Sequence, residues 1–139
     1  MTTGPATLAP RTLAPGVSEE LAQRARAHLR EAAGRAAAIT YRELAEALGL
    51  TPPQTIRQVT EVLEELMRED AASGRPLLAA LVVSRARGGM PAPGFFDCAQ
   101  RLGRFDGPAS GTEAWGFHEA ELAAAIAFWS DAAQDAKRG

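Results

Sequence analysis

The sequence predicts an α+β fold, mostly α, in which a single domain carries several helices and a small sheet. Apolar residues recur at helical spacing over most of the chain, and one short continuous apolar run, LLAALVVS at 77–84, is typical of a buried strand. The length of 139 residues allows a hydrophobic core without disulfides or metals. Residues 1–17, rich in Pro and Thr, are expected to form a flexible arm, and residues 18–136 to form the domain.

A first helix is predicted to begin after Ser18, whose hydroxyl suits an N-cap position. Glu19 and Glu20 follow, and their carboxylates suit the positive end of the helix dipole. The predicted buried stripe is thin and rich in alanine: Leu21, Ala25, Leu29, Ala32 and Ala36. Gly34 is expected to weaken or end this helix.

The next stretch predicts two helices joined by a tight turn. The Thr-x-x-Glu capping box at 40–43 places a helix start at Tyr41, and Gly49 is a natural C-terminal stop. Two consecutive prolines then delay the following helix to Pro53 or Gln54, because proline fits the first turn of a helix but not its interior.

The helix after the prolines has the clearest amphipathic pattern in the chain. Its predicted buried face recurs at steps of three and four residues: Ile56, Val59, Leu63, Leu66 and Met67. Residues 61–70 also carry five acids against one arginine, a local net charge of −4. The helix is expected to end within 71–74.

The second half of the chain predicts a strand, a loop and a final helix. Leu77–Ser84 is the predicted strand, and the Gly/Pro-rich stretch to Phe96 is expected to be a loop or wing. A single helical turn is expected at 98–102 and a loop at 103–116. The last helix is predicted over 117–135, with four residues facing inward: Leu122, Ala125, Ile126 and Trp129. This order of elements predicts a winged helix-turn-helix-like single domain.

The corner around Gly49 has the features that a DNA-binding helix-turn-helix requires. Ala45 is small where the two helices cross, and Gly49 tolerates positive φ. Polar residues occupy the first turns of the second helix, the end that enters the major groove: Gln54, Thr55, Arg57 and Gln58. Glutamine pairs with adenine, and arginine with guanine, through two hydrogen bonds. The alternative is a plain helical corner whose polar residues only solvate the surface, and the acids at 61–70 oppose deep insertion.

The strongest basic cluster flanks the Gly-rich loop. Arg85 and Arg87 are the candidate phosphate contacts of a wing, with Arg101 and Arg104 nearby in the sequence. The alternative is that these arginines only solvate a hairpin next to acidic helices.

The sequence offers little support for catalysis or metal binding. Cys98 is the only cysteine, so no internal disulfide forms, and a cytoplasmic location is expected. His28 and His118 are far apart in the sequence and make no convincing metal site. No phosphate-binding loop, dinucleotide fingerprint or nucleophile-elbow motif is present. We therefore expect neither an enzyme nor a cofactor, and no membrane partner, since no apolar run approaches the ~20 residues of a membrane span.

Three stretches together resemble a known family: Gly34-Arg35, ITYRELA at 39–45, and LLAALVVSRARGG at 77–89 followed by PGF. They are similar to the C-terminal domain of alkylguanine-DNA alkyltransferases and the alkyltransferase-like proteins, and to small winged-helix modules found near bacterial restriction endonucleases. The family's Pro-Cys-His-Arg motif is replaced by apolar residues at 78–81. The resemblance therefore implies DNA binding without alkyl transfer, with Tyr41 as a phosphate or base-stacking contact. Packing of Tyr41 against the core is the alternative.

Two functions from different classes follow from these patterns. The leading hypothesis is a non-enzymatic winged-helix module that binds double-stranded DNA or acts as an accessory to a DNA-binding system. The alternative is a protein–protein interaction module that docks a protein partner through the acidic helix 61–70 or a Phe128–Trp129 surface. A small enzyme that uses Cys98 is the least favoured hypothesis.

Overall fold

The computed structural model describes the backbone of residues 17–138 and the side chains of residues 17–130. Residues 1–16 of the predicted arm 1–17 lie outside the described residues. The element order is α1 (Glu19–Gly34), β1 (Ile39–Thr40), α2 (Tyr41–Leu48), α3 (Thr55–Ala72), β2 (Val82–Val83), α4 (Pro93–Arg101) and α5 (Thr112–Arg138), with 3-10 turns at Leu78–Leu81 and Arg85–Arg87. The fold is 68% helical with a small sheet. The α+β, mostly α class is thus confirmed, and the winged-helix arrangement stays a prediction.

The sheet consists of two short parallel strands. Ile39 pairs with Val82, and Thr40 pairs with Val83. Just beyond β2, Ser84 forms an isolated antiparallel bridge with Met90. The β1–β2 pair joins the start of α2 to the middle of the chain.

The core lies where α1, α3 and α5 pack around the 3-10 turn Leu78–Leu81. The largest fully buried apolar side chains come from α1, α2, α3, α4 and the segment 77–81: Leu29, Leu44, Leu66, Met67, Leu77, Leu78, Leu81 and Phe96. Val17, the last residue of the predicted arm, is also buried. Burial of each large aliphatic side chain stabilises the fold by about 1.5–3 kcal/mol.

Several predicted helix ends are confirmed by their capping geometry. The Ser18 hydroxyl accepts the Leu21 N–H at 3.0 Å, and α1 ends at Gly34. The capping box of α2 is formed in both directions between Thr40 and Glu43. Gly49 ends α2 with φ 70°, the left-handed conformation that glycine adopts without a steric penalty.

The predicted strand Leu77–Ser84 is largely wrong, because only Val82–Val83 is extended and paired. Buried carboxylates explain the difference. The Leu77 N–H donates to Glu121 Oε2 at 2.7 Å, and the Leu78 N–H donates to Asp70 Oδ2 at 3.1 Å. These acceptors satisfy backbone donors that would otherwise need a neighbouring strand, so the start of the run turns as a 3-10 helix.

The Gly/Pro-rich second half contains more helix than predicted. Pro93 occupies the first turn of α4, where proline fits, and the helix continues through the predicted turn at 98–102 to Arg101. The last helix begins at Thr112 instead of Phe117. Of its four predicted inward residues, Ala125 and Trp129 are buried, whereas Leu122 and Ile126 are partly buried.

Two predicted core residues are exposed. Ala36 lies beyond the end of α1, with φ 53°. Ile56 is 50% exposed, because α3 begins only at Thr55 and its first turn projects beyond the packed core. Among the described residues, none of the helices is both long enough and apolar enough to span a membrane.

Candidate functional site

The α2–turn–α3 corner is held by backbone and side-chain hydrogen bonds. At its first half, the Leu50 N–H donates to the Ala45 carbonyl at 3.0 Å, closing the end of α2. At its second half, the Gln58 side-chain amide donates to the Thr51 carbonyl at 3.1 Å and the Pro53 carbonyl at 3.0 Å. The turn is therefore fixed from both helices.

Gln58 thus differs from its predicted role as a base contact. A side-chain amide carries two N–H donors, and both are aimed at carbonyls of the turn. The Gln58 side chain, near the start of α3, is half-buried. In this arrangement Gln58 positions the start of α3 and does not present a free amide to a ligand.

Tyr41 is packed and its hydroxyl is engaged. The side chain is 9% exposed, and its oxygen accepts the Ala92 N–H at 2.8 Å. Burial raises the pKa of the Tyr41 hydroxyl, while the bond from Ala92 and the nearby charge of Arg87 act in the opposite direction. Packing against the core, the alternative to a nucleic-acid contact, is the arrangement observed.

The basic cluster of the Gly-rich loop is mostly tied to the protein. Arg87 donates to the Pro91 carbonyl at 2.9 Å and the Ala109 carbonyl at 2.7 Å. Arg101 faces Glu64 at 3.6 Å, and Arg104 faces Glu121 at 3.0 Å. Arg85 is exposed and has no hydrogen-bond or ionic partner within the described part of the chain. The loop itself forms a 3-10 turn at Arg85–Arg87 and a single antiparallel bridge between Ser84 and Met90.

The first turn of α3 is the part of the predicted interface that faces solvent. Gln54, the N-cap residue with φ 61°, is exposed, as are Ile56 and Arg57. Thr55 is half-buried between them. The Arg57 side chain is 68% exposed and lies 3.5 Å from Glu61, an ion pair that solvent screens.

The acids of α3 do not form an exposed acidic surface. Each of the five carboxylates of 61–70 faces an arginine, in pairs spread along the helix: Glu61–Arg57, Glu64–Arg101, Glu65–Arg68, Glu69–Arg26 and Asp70–Arg26. Asp70 also faces Arg75 at 3.0 Å. The local net charge of −4 read from the sequence is therefore compensated by arginines from α1, α3, α4 and the segment after α3.

Asp70 is the most deeply buried of these acids, with no exposed side-chain area. Desolvation raises the pKa of its carboxyl group, and Arg26, the Leu78 N–H and Arg75 act in the opposite direction. The Arg26 and Arg75 guanidiniums also lie 5.3 and 5.4 Å from the Trp129 ring centroid. Trp129 is 5% exposed, so it belongs to the core and not to the predicted Phe128–Trp129 docking surface.

A cavity of about 490 Å³ opens where the two strands end and α2 begins. It is lined by residues of β1, α2, β2 and the segment that follows β2: Thr40, Tyr41, Arg42, Glu43, Glu46, Val83, Ser84 and Arg85. Two predicted site residues, Tyr41 and Arg85, thus share one cavity. Arg57 and Gln54 do not line it.

Cys98 and His118 are both buried. Burial raises the pKa of the Cys98 thiol, and the neighbouring Glu64 acts in the same direction. The His118 Nε2 lies 2.9 Å from the Ala80 carbonyl oxygen, which only accepts, so this nitrogen carries the proton. Desolvation lowers the pKa of His118. Within residues 17–130, no three His, Cys, Asp or Glu side chains converge as a metal-binding group.

His118 and Glu121 are polar residues whose burial the sequence analysis missed. A signal for both was present, since buried residues of α5 follow one another at steps of three or four: Ala114, His118, Glu121, Ala125 and Trp129. Extending the inward stripe towards the N-terminus of α5 places both polar residues on it.

Comparison of the chain with known protein families, curated proteins and solved structures finds no match. The resemblance to alkyltransferase-like proteins therefore stays a prediction.

Proposed function

We propose that this protein is a non-enzymatic module that binds double-stranded DNA through the first turn of α3. The observation that carries the proposal is the exposure of Gln54, Ile56 and Arg57 on a turn that Gln58 holds in place. These side chains project from a helix N-terminus that follows a helix-turn-helix corner, and recognition helices read the major groove from that end.

The charge arrangement on α3 supports this proposal. The acids of 61–70 would oppose insertion of α3 into the major groove if their carboxylates had no cationic partner. Because four of the five face arginines other than Arg57, α3 offers less net repulsion to a phosphate backbone than the sequence suggests. Arg57 is only loosely paired with Glu61, at 3.5 Å, and can exchange that partner for DNA.

Each exposed residue has a distinct chemical role in the proposed interface. Arg57 donates to guanine or to a phosphate, and Gln54 suits adenine. Ile56 provides apolar contact of the kind that thymine methyl groups accept. Arg85, exposed and unpartnered among the described residues, contributes a phosphate contact.

The remaining residues predicted as DNA contacts instead hold the segments around the proposed interface in place. Tyr41 ties α2 to the start of α4, Gln58 holds the turn, and Arg87 bridges two loops. The non-enzymatic part of the proposal rests on Cys98, the one thiol, which is buried and whose pKa is raised. We further propose a cytoplasmic location, which suits a chain with a single, reduced cysteine.

A protein partner is the second candidate, favoured by exposed apolar side chains. Ile56 is 50% exposed, and Trp115 and Phe128 on α5 are each 42% exposed. Exposed aromatic residues are enriched at protein interfaces. The acidic face of α3 supports this alternative less than expected, because its carboxylates already have arginine partners.

The experiment that tests the proposal measures fluorescence anisotropy of a labelled duplex at several salt concentrations. We expect the wild-type affinity to fall steeply as salt rises, because phosphate contacts release counterions. Arg57→Ala removes one charge from the proposed interface and should weaken binding about tenfold. Arg35→Ala is the matched control, since Arg35 is an exposed arginine at the C-cap of α1 with only a loose ion pair to Glu31.

Equal effects of Arg57→Ala and Arg35→Ala would contradict the proposed interface, since both remove one exposed charge. Absence of duplex binding at micromolar protein and low salt would contradict DNA binding altogether. In that case Ile56→Ala and Phe128→Ala become the variants that test the protein-partner candidate.

A further inference from the structure

The parallel strand register brings two arginines to the same edge of the sheet. Thr40 is opposite Val83, so the two strands end at the same edge of the sheet. Arg42 and Arg85 each lie two residues beyond the end of their strand, and both line the cavity of about 490 Å³. The carboxyl ends of parallel strands are the edge at which open α/β sheets bind ligands.

Both guanidinium groups are without a protein partner among the described residues. Arg42 and Arg85 are exposed and make no ion pair or hydrogen bond there. By contrast, the acid-rich helix α3 compensates every carboxylate of 61–70 with an arginine. Arg42 and Arg85 therefore line one cavity without a carboxylate of the described chain bound to either of them.

The position of Arg42 adds an electrostatic mismatch. Arg42 is the second residue of α2, at the positive end of the helix dipole, where a cation is disfavoured. A second cation, Arg85, lines the same cavity. An anion between them relieves both the dipole mismatch and the mutual repulsion of the two guanidiniums.

Two hydroxyl groups complete the donor set of the cavity. The Thr40 oxygen accepts the Glu43 N–H at 3.1 Å, which leaves its own hydrogen free to donate. Ser84 lies on the opposite wall, just past β2. The Glu43 backbone N–H, in the first turn of α2, is already used by the capping box.

Two carboxylates also line the cavity. Glu43 is committed to the capping box, because its Oε1 accepts the Thr40 N–H at 2.8 Å. Glu46 is exposed on the next turn of α2 and has no partner within the described chain. Its negative charge repels an anion in the cavity. Removing that charge should therefore strengthen anion binding, whereas removing either arginine should weaken it.

We infer that this cavity binds a phosphate group between Arg42 and Arg85. Guanidinium forks match phosphate oxygens through paired, charge-assisted hydrogen bonds, and the hydroxyls of Thr40 and Ser84 provide further donors. The phosphate group comes either from a nucleic-acid backbone or from a free phosphomonoester such as a nucleotide. The inference does not require the proposed function, since a nucleotide can occupy the cavity without a duplex.

Three probes distinguish the phosphate sources: inorganic phosphate, a 5′-mononucleotide and a labelled duplex. Binding to the full-length protein is measured by calorimetry for the first two and by anisotropy for the third. Arg42→Ala and Arg85→Ala should each weaken binding about tenfold, and Glu46→Gln should strengthen it about threefold, as expected from charge-assisted contacts and like-charge repulsion. Arg35→Ala should leave all affinities unchanged.

The pattern of losses assigns the source of the phosphate. If the affinity for the mononucleotide or inorganic phosphate depends on Arg42 and Arg85, the ligand is a free phosphate group. If only the affinity for the duplex depends on them, the ligand is a backbone phosphate. The inference is overturned if none of the three probes binds, or if the two arginine variants bind all probes as the wild type does. Phosphate binding that survives Arg57→Ala while duplex binding is lost separates this site from the proposed α3 interface.

Discussion

The Tyr41 hydroxyl accepts a hydrogen bond from the Ala92 N–H at 2.8 Å and thereby joins the first residue of α2 to the N-cap of α4. Tyr41→Phe removes the acceptor and leaves a part-buried N–H without a partner. We expect unfolding to become easier by about 1–3 kcal/mol in a denaturant titration. Duplex affinity should change less than twofold. A tenfold loss of DNA affinity with unchanged stability would instead identify Tyr41 as a direct contact, as the family resemblance implies.

Gln58 should act on DNA binding through the turn that it holds. Gln58→Ala removes both side-chain donors to the Thr51 and Pro53 carbonyls. Because those carbonyls are exposed to water, we expect a loss of only about 0.5–1.5 kcal/mol in stability. Duplex affinity should fall several-fold, whereas the slope of log affinity against log salt should stay that of the wild type, since no phosphate contact is removed. A loss of affinity that differs between duplexes of different base sequence would instead show that Gln58 itself contacts a base.

Asp70→Asn should destabilise the fold strongly, because it breaks a buried ion pair with Arg26. Asp70→Asn removes a fully buried charge that faces Arg26 at 2.9 Å and Arg75 at 3.0 Å. Breaking a buried pair from one side costs about 3–5 kcal/mol, because the partner charge is left uncompensated. Glu31→Gln, which breaks an exposed pair with Arg35, should cost less than about 1 kcal/mol. Comparable losses from both variants would contradict the structural role assigned to Asp70.

His118 should make the stability of the protein sensitive to mild acid. Burial lowers its pKa from the ordinary value of 6.5, so the unfolded chain binds a proton at a pH where the folded protein does not. Its contribution is therefore fully present above pH 6.5 and is lost as the pH falls from there towards the lowered folded pKa. His118→Gln keeps a donor for the Ala80 carbonyl and does not titrate.

The measurement for His118 is the difference in unfolding free energy between the wild type and His118→Gln from pH 7.5 to pH 5. We expect the wild type to lose stability relative to His118→Gln as the pH falls. The loss should not exceed about 1.4 kcal/mol per pH unit. Taking the difference cancels the titration of groups common to both proteins, including Asp70. A difference that stays constant with pH would contradict a pKa of His118 that is lowered by burial.

Local signals in the sequence predicted the corner that carries the proposed function. The capping box at 40–43, Gly49 and the prolines act within one turn of chain, so their effect is readable without knowledge of the tertiary structure. The predicted inner face of α3 is confirmed from Val59 onward. Ile56 differs because its exposure depends on where the neighbouring elements stop, which periodicity alone does not specify.

Long-range partners explain what the sequence did not predict. The run at 77–84 has the composition of a strand, yet its first donors are satisfied by Glu121, 44 residues away in α5, and by Asp70 near the end of α3. The compensation of the acids of α3 also depends on tertiary contacts, since Arg26 and Arg101 reach them from other helices. The cavity likewise depends on the pairing of β1 with β2, which are more than 40 residues apart.

The central claim is that the first turn of α3 contacts duplex DNA, and NMR titration of the ¹⁵N-labelled protein tests it most directly. A chain of 14.7 kDa is well suited to amide-resolved spectra. On addition of a short duplex at low salt, we expect the largest amide shifts at 54–57, with smaller shifts around Arg85 and none beyond noise on the exposed face of α1. Binding that leaves 54–57 unperturbed, with shifts confined to other surfaces, would contradict the claim.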